Sequence, residues 1–384
     1  MSKKRTHAIV SPKKTAGFGV SRKKRIRWFI RVALILVLIQ VSINYITQEK
    51  PDFVAQSTNK TINFYTGTPV VLGEKAIKLA ALKETPSRFS NLEKLSEGSK
   101  EAQHKQKETV EKLNLPLTVE NSIGMTFRLI PPGIFLMGSP NDEKGRKPFH
   151  GLGIDVEGEH RETIPYPIYI GSHEVTTDQW KAVMKTIPTS NGRANYRPQD
   201  GKNIPMTEVT WGDAVRFCIE LTKQEGLPLG RYRLLKEVEW EYACRAGTRG
   251  PFYFKSMKDI NYFITYEGNA VESGIKIGGR LPNAWGLFNM HGNVMEWCND
   301  YYIDYFTGKM PKNNINMRSV RGGSWHESWQ NCRSANRARL GPTSHGNVLG
   351  FRIVRSIVKE LKEQKKTKSQ EIISNKNKSE KSNE

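Results

Sequence analysis

A hydroxyl, an imidazole, a carboxylate and a thiol follow one another in a short stretch, Gly322-Gly323-Ser324-Trp325-His326-Glu327 continuing through Ser328-Trp329-Gln330-Asn331 to Cys332. Ser324, His326 and Glu327 are the candidate catalytic residues. Joined by His291, two imidazoles and a carboxylate would supply the residue types of a non-haem iron site. The competing reading gives His291 a packing role beside its own loop. A second stretch, Asn289-Met290-His291-Gly292-Asn293-Val294-Met295-Glu296, has a different potential. Gly292 permits a turn with positive φ, and a period of two from Val294 places Glu296 and Cys298 on its side of the chain. Carbonyls of Asn289, Gly292 and Val294 and the carboxylate of Glu296 would then converge, a hard oxygen set suited to a structural calcium ion. The alternative is a structural turn in which Glu296 pairs with an arginine. The four cysteines, Cys218, Cys244, Cys298 and Cys332, lie tens of residues apart, and neither CxxC nor HxxxH occurs, which argues against a zinc site.

The elements that must position these residues occupy only part of the chain. Formal net charge is +22 over 384 residues, but residues 1–27 alone hold ten Lys and Arg and no acid. An apolar run, 28–46, follows, and about 18 residues of it would span roughly 27 Å as a helix, close to bilayer thickness. A basic block before one span orients a signal anchor with its N-terminus cytoplasmic and the rest extracytoplasmic, periplasmic in a Gram-negative cell. No small-x-small site for signal cleavage is evident. The positive-inside pattern accounts for the charge, so nucleic-acid binding is not implied. Residues 47–116 read as a polar spacer, and 357–384, without aromatics, as a basic tail that cannot fold alone.

The core is therefore 117–356, with every cysteine and seven of the eight tryptophans. Strand-like pieces are short: 125–139, 164–176 and 347–356. Three helices are legible. Thr176 with Gln179 and Thr210 with Asp213 form capping boxes, the second followed by the stripe Ala214, Phe217, Cys218 and Leu221. A third helix runs through Trp240 and Cys244 to a stop at Gly247. Gly-, Asn- and Pro-rich loops fill the rest, which makes this an α+β domain with little regular structure.

Eight blocks of that core occur in a telling order: FLMGS (135–139), EVTTDQW (174–180), VTWGDAVRFC (209–218), EWEYACRAGT (239–248), NAWGLFNMHGNVMEWC (283–298), RGGSW (321–325), NCRSANR (331–337) and GFRIV (350–354). The order resembles the formylglycine-generating enzyme, or sulfatase-modifying factor, family. That resemblance implies a loop-rich, C-type-lectin-like α+β fold. It also implies a calcium site at Asn289, Gly292, Val294 and Glu296, and a disulfide between Cys244 and Cys332. The family partner of Cys218 falls at Ile353, so Cys218 with Cys298, or two free thiols, remain open. The family's oxidase branch binds copper(I) through two cysteines just after the GGS motif. Here His326 or Glu327 stands at the first, and the segment carrying the second is missing, so copper-thiolate chemistry has no ligands. Its hercynine oxygenase branch takes iron with histidines from a separate domain, but 47–116 holds only His104.

Two classes of function follow. One is an extracytoplasmic binding or scaffolding domain whose groove, built from Trp325, Trp329, Arg333, Asn336 and Arg337, takes a protein segment or a carbohydrate, with aromatic faces for apolar area and guanidinium groups for anions. In the plainer alternative these residues are core and the arginines satisfy buried carbonyls. The other class is a metal-dependent oxidase or oxygenase with an unfamiliar metal arrangement.

Overall fold

The computed structural model describes residues 92–146, 157–187, 203–270, 275–303, 305 and 316–357. The proposed cytoplasmic tail and anchor and, beyond its first residue, the C-terminal tail lie outside these residues; that first residue, Ile357, is buried in the core. Among the described residues no helix is long and apolar enough to cross a membrane.

Among the described residues, eleven short strands and a few helices make the α+β body. The first sheet orders its strands β1 (Thr118–Glu120), β2 (Thr126–Ile130), β5 (Ile168–Gly171), β11 (Ile353–Arg355) and β6 (Tyr232–Leu234). Every neighbouring pair in it is antiparallel. A second sheet places β7 (Met295–Tyr301) between β10 (Leu349–Gly350), its parallel neighbour, and β8 (Arg318–Arg321), which pairs in turn with β9 (Arg337–Leu340). β3 (Gly133–Met137) and β4 (His160–Ile164) form a separate antiparallel pair. The expected strand region 125–139 is split into β2 and β3 around Pro131 and Pro132, which supply no N–H to a ladder.

Local chemistry sets the helix starts. At α2 (Thr177–Met184), Thr176 Oγ1 accepts from Gln179 N while the Gln179 side chain accepts from Thr176 N. Thr210 and Asp213 do the same for α3 (Trp211–Gln224), which buries Ala214, Phe217, Cys218 and Leu221. Phe217 stacks on Trp180 at 5.6 Å and meets Phe351 edge-on at 5.4 Å, tying α2 and α3 to the C-terminal segment. Helix α4 (Glu237–Arg245) stops at Ala246 and Gly247, both with positive φ.

Part of the stretch read as a polar spacer is packed into the body. Helix α1 (Ser99–Leu113) buries Ala102 and Gln106. Trp285 Nε1 donates to Ala102 O at 2.9 Å and Gln106 Nε2 to Leu129 O at 2.6 Å. Bonds to backbone carbonyls dock this helix in place of an apolar stripe, so hydropathy gives no sign of the contact.

Candidate functional site

Strand β8 leads into Gly322 and Gly323, with φ of 99° and 70°. A β-carbon on Gly323 would lie 2.7 Å from Asn331 O and 2.8 Å from Cys332 Sγ, so the turn needs a glycine. The chain then folds back on itself, and Glu327 N donates to Ser324 O. Ser324 is buried and its Oγ donates to Glu327 Oε2 at 3.2 Å, while Asn331 Nδ2 donates to Glu327 Oε1 at 3.1 Å. The Glu327 carboxylate is thus held by a hydroxyl and an amide.

The residues of the iron-binding reading sit in unlike surroundings. His291 is fully buried, with its ring stacked on Tyr253 at 4.5 Å. Its Nδ1 faces Cys332 O at 2.7 Å and its Nε2 accepts from Tyr253 N at 3.3 Å, which fixes the proton on Nδ1. Burial pushes its pKa down to about 3. His326 is exposed. The packing role is the one His291 has, and among the described residues no three His, Cys, Asp or Glu side chains could hold a metal ion.

The expected disulfide is a correction too. All four cysteines are free and buried. Cys244 Sγ lies 3.6 Å from Met290 O and 3.7 Å from Ser334 Oγ, whereas Cys332 Sγ lies 3.8 Å from Ser328 O. Each thiol has its own local polar neighbours. Burial raises all four thiol pKa values, that of Cys244 to about 12, so none is a thiolate at neutral pH.

The proposed groove is likewise redrawn. Arg333, 1% exposed, donates to Glu143 Oε1 at 2.6 Å and to both oxygens of Glu157 at 2.9 and 3.0 Å. Arg337 is clamped on Glu237 at 2.6 and 2.7 Å. Both arginines are core: carboxylates hold them, and Arg333 Nε also donates to a carbonyl, Gln330 O, at 3.1 Å. Trp329 packs against the core beside Phe252, Trp325 Nε1 donates to Asn347 O at 3.3 Å, and Asn336 Nδ2 to Asn331 O at 2.8 Å. Beneath them Arg321 joins Glu241 and Glu237 and donates to the carbonyls of Ser334 and Asn336. Burial works against the charge on Glu237, but Arg337 and Arg321 hold its pKa down to about 2.

The Asn289–Glu296 loop has the expected turn, with positive φ at Asn289, Gly292 and Asn293. A side chain on Gly292 would collide with Thr265 O. Glu296 is buried and has the arginine partner offered as the alternative. Arg352 Nη2 and Nε bind its carboxylate at 2.8 to 3.0 Å, and Trp240 Nε1 donates to Oε2 at 2.8 Å. Arg352 also donates to Gly171 O and Phe288 O. The sequence reading missed Glu174 in this cluster. It is 1% exposed, and accepts from Asn289 Nδ2 at 3.1 Å and Asn293 Nδ2 at 2.8 Å, with Arg352 4.0 Å away. Desolvation, opposed by Arg352 and reinforced by Glu296, raises the Glu174 pKa to about 7. Two buried carboxylates therefore share one guanidinium, and Asn289 Oδ1 has no donor among the described residues. With both carboxylates ionised the cluster is one positive charge short, and Asn289, whose main-chain carbonyl is the predicted ligand, also carries an orphaned side-chain oxygen, surroundings that fit a hard cation.

The fold and this loop define the class, and comparison with known proteins agrees. The chain belongs to the sulfatase-modifying factor enzyme 1-like family, whose profile matches residues 117–357. It is 30% identical to the formylglycine-generating enzyme of Bos taurus over 282 residues, 58% of this chain and 72% of that one. Similarity to the Mus musculus enzyme is 32% over 189 residues, 41% of this chain and about half, 48%, of that one. Among solved structures it resembles PvdO from Pseudomonas aeruginosa, with a TM-score of 0.54 and 29% identity over 62% of this chain and 98% of that chain.

Proposed function

We propose that this chain is a membrane-anchored, extracytoplasmic binding or scaffolding member of its family that does not perform copper-thiolate oxidation. One observation carries the reading: no cysteine lies between Gly323 and Cys332, where the resemblance puts His326 or Glu327 at the first oxidase thiolate, Glu327 is bonded to Ser324 and Asn331, and the four thiols present are buried. Copper(I) needs soft ligands, and a carboxylate is a hard one. The test is copper(I) titration of the purified full chain, together with turnover of a Cys-x-Pro-x-Arg peptide. Absence of stoichiometric copper and of aldehyde product is the expected result. Product formation, or stoichiometric copper or iron lost on His326→Ala, would establish the oxidase or oxygenase alternative. The ligand of the binding role is a protein segment or glycan outside the cell. Its contact surface excludes Arg333 and Arg337, which are committed to the interior.

The same reading includes structural calcium at the Asn289–Glu296 loop. Asn289, Gly292, Val294 and Glu296 would hold it, and it would supply the positive charge that the Glu174–Glu296–Arg352 cluster lacks. Chelation should lower the melting temperature and calcium should restore it. A melting temperature indifferent to both would leave Arg352 and Trp240 to hold Glu296 without an ion.

A further inference from the structure

A cavity of about 500 Å³ opens between the β1–β2 turn and the entry to α2, and no residue of the Gly322–Cys332 segment lines it. Its size is that of a small-molecule site. Three acidic residues line it, Glu120, Asp178 and Glu174, and no Lys or Arg among the described residues does, in a chain of formal charge +22. Glu120 and Asp178 are half-buried and have no ion-pair partner among the described residues. Met125 and Ile277 add apolar wall, and His173, stacked on Phe288 at 4.5 Å, adds a flat one.

Glu174 is the buried floor. Behind it stands Asn293, 0% exposed, whose Nδ2 is spent on Glu174 Oε1 and whose Oδ1 has no donor among the described residues. The site thus has acidic charge that no Lys or Arg in its lining matches among the described residues, beside the neutral amides of Gln179 and Asn203 and the ring of His173. The three carboxylates do not converge on one point as ligands of a compact ion, since no group of three acidic, His or Cys side chains is placed to hold a metal. An elongated cation can meet separated charges in turn, and its stem can lie on apolar wall.

We propose that this cavity binds an organic cation, a primary ammonium or guanidinium group on an aliphatic stem. The charged head faces Glu174, the stem packs on Met125 and Ile277, and Glu120 and Asp178 complete the neutralisation. Such a group occurs on a free diamine or on a Lys or Arg side chain of a polypeptide. The proposal goes beyond the binding role above and stands whether or not the domain is an oxidase.

Calorimetric titration of the full chain, in chelator, with cadaverine, agmatine, Gly-Lys-Gly and Gly-Arg-Gly tests it, with uncharged 1,5-pentanediol as control. Saturable binding of at least one cationic probe is expected, with none of the diol. Asp178→Asn and Glu120→Gln should each weaken it about tenfold or more, the order expected for one charged hydrogen-bonding partner. Added salt should weaken binding to the unaltered chain as well, a readout that needs no variant to fold. Binding of the free amines assigns a small-molecule source and binding of the peptides alone a polypeptide source; either supports the site. No saturable binding of any probe, equal binding of the diol, or unchanged binding in both variants at unaltered melting temperature overturns it.

Discussion

Replacing Glu174 by glutamine should stabilise the chelated protein at pH 8 and not at pH 5. Its carboxyl pKa rises from 4.5 to about 7 on folding, chiefly through desolvation. The folded state therefore holds this proton more tightly than the unfolded one. The resulting cost to stability is absent below pH 4.5, grows as pH rises through the interval, and is complete above 7. The shift of 7 less 4.5 units corresponds to about 3 kcal/mol at pH 8. A neutral isostere escapes that cost but presents an N–H₂ where two asparagine amides now donate. Rotating the Asn293 amide turns its orphaned Oδ1 to accept from the introduced donor, which limits the loss to about 1 kcal/mol, one ordinary hydrogen bond. A net gain of about 2 kcal/mol remains, or a melting temperature higher by about 4–8 °C for a body of this size. Thermal unfolding of Glu174→Gln and the unaltered chain at both pH values, in chelator, measures it. A variant less stable than the parent at pH 8 would refute the charge shortfall on which both the calcium reading and the cation-binding cavity draw. With calcium present the gain should shrink or reverse, because the carboxylate is then compensated.

Further outcomes follow from the buried ion pairs and thiols. Arg321→Met removes the guanidinium shared by Glu241 and Glu237 while leaving each its other arginine, Arg245 and Arg337, and denaturant unfolding should show a loss of about 1.5–3 kcal/mol, the order of a charged hydrogen bond. His291 is held neutral, with a folded pKa near 3 against 6.5 in the unfolded chain, so its contribution is complete above pH 6.5 and is lost as pH falls toward 3. Between pH 6.5 and 4.5 this loss runs against the gain from Glu174, so Glu174→Gln should steepen the acid limb of a stability–pH profile. Thiol titration of protein purified without reductant should find four reactive groups in denaturant and almost none in the native state, whereas two in denaturant would restore a disulfide. Gly292→Ala should abolish soluble, folded protein, as judged by near-UV circular dichroism, because its β-carbon meets Thr265 O at a positive φ.

Short-range chemistry was legible in the sequence. Both threonine capping boxes, the helix stop at Gly247 and the turn at Gly292 depend on neighbours a few residues away, and all are present. Long-range polar pairing was not. Nothing local to SHEVTT marks Glu174 as the partner of asparagines more than 100 residues on, since a buried carboxylate there looks like an ordinary strand end. The arginines of NCRSANR suit a ligand groove by residue type, but their carboxylates come from Glu143, Glu157 and Glu237, in segments with no sequence cue to that pairing. Helix α1 escaped for the complementary reason: the Gln106 and Trp285 side chains dock it by donating to backbone carbonyls, acceptors that every residue carries.

The order of strands in the first sheet bears on how the body can be made. β11, the last strand described, lies between β5 and β6, and β6 has no other partner in that sheet. Arg352, immediately before it, closes carbonyls 181 and 64 residues upstream. A nascent chain cannot complete this architecture until nearly all of the domain has left the ribosome, and until then two strand edges stay open to foreign pairing. A premature stop before Ile353 thus removes the keystone and not a dispensable end.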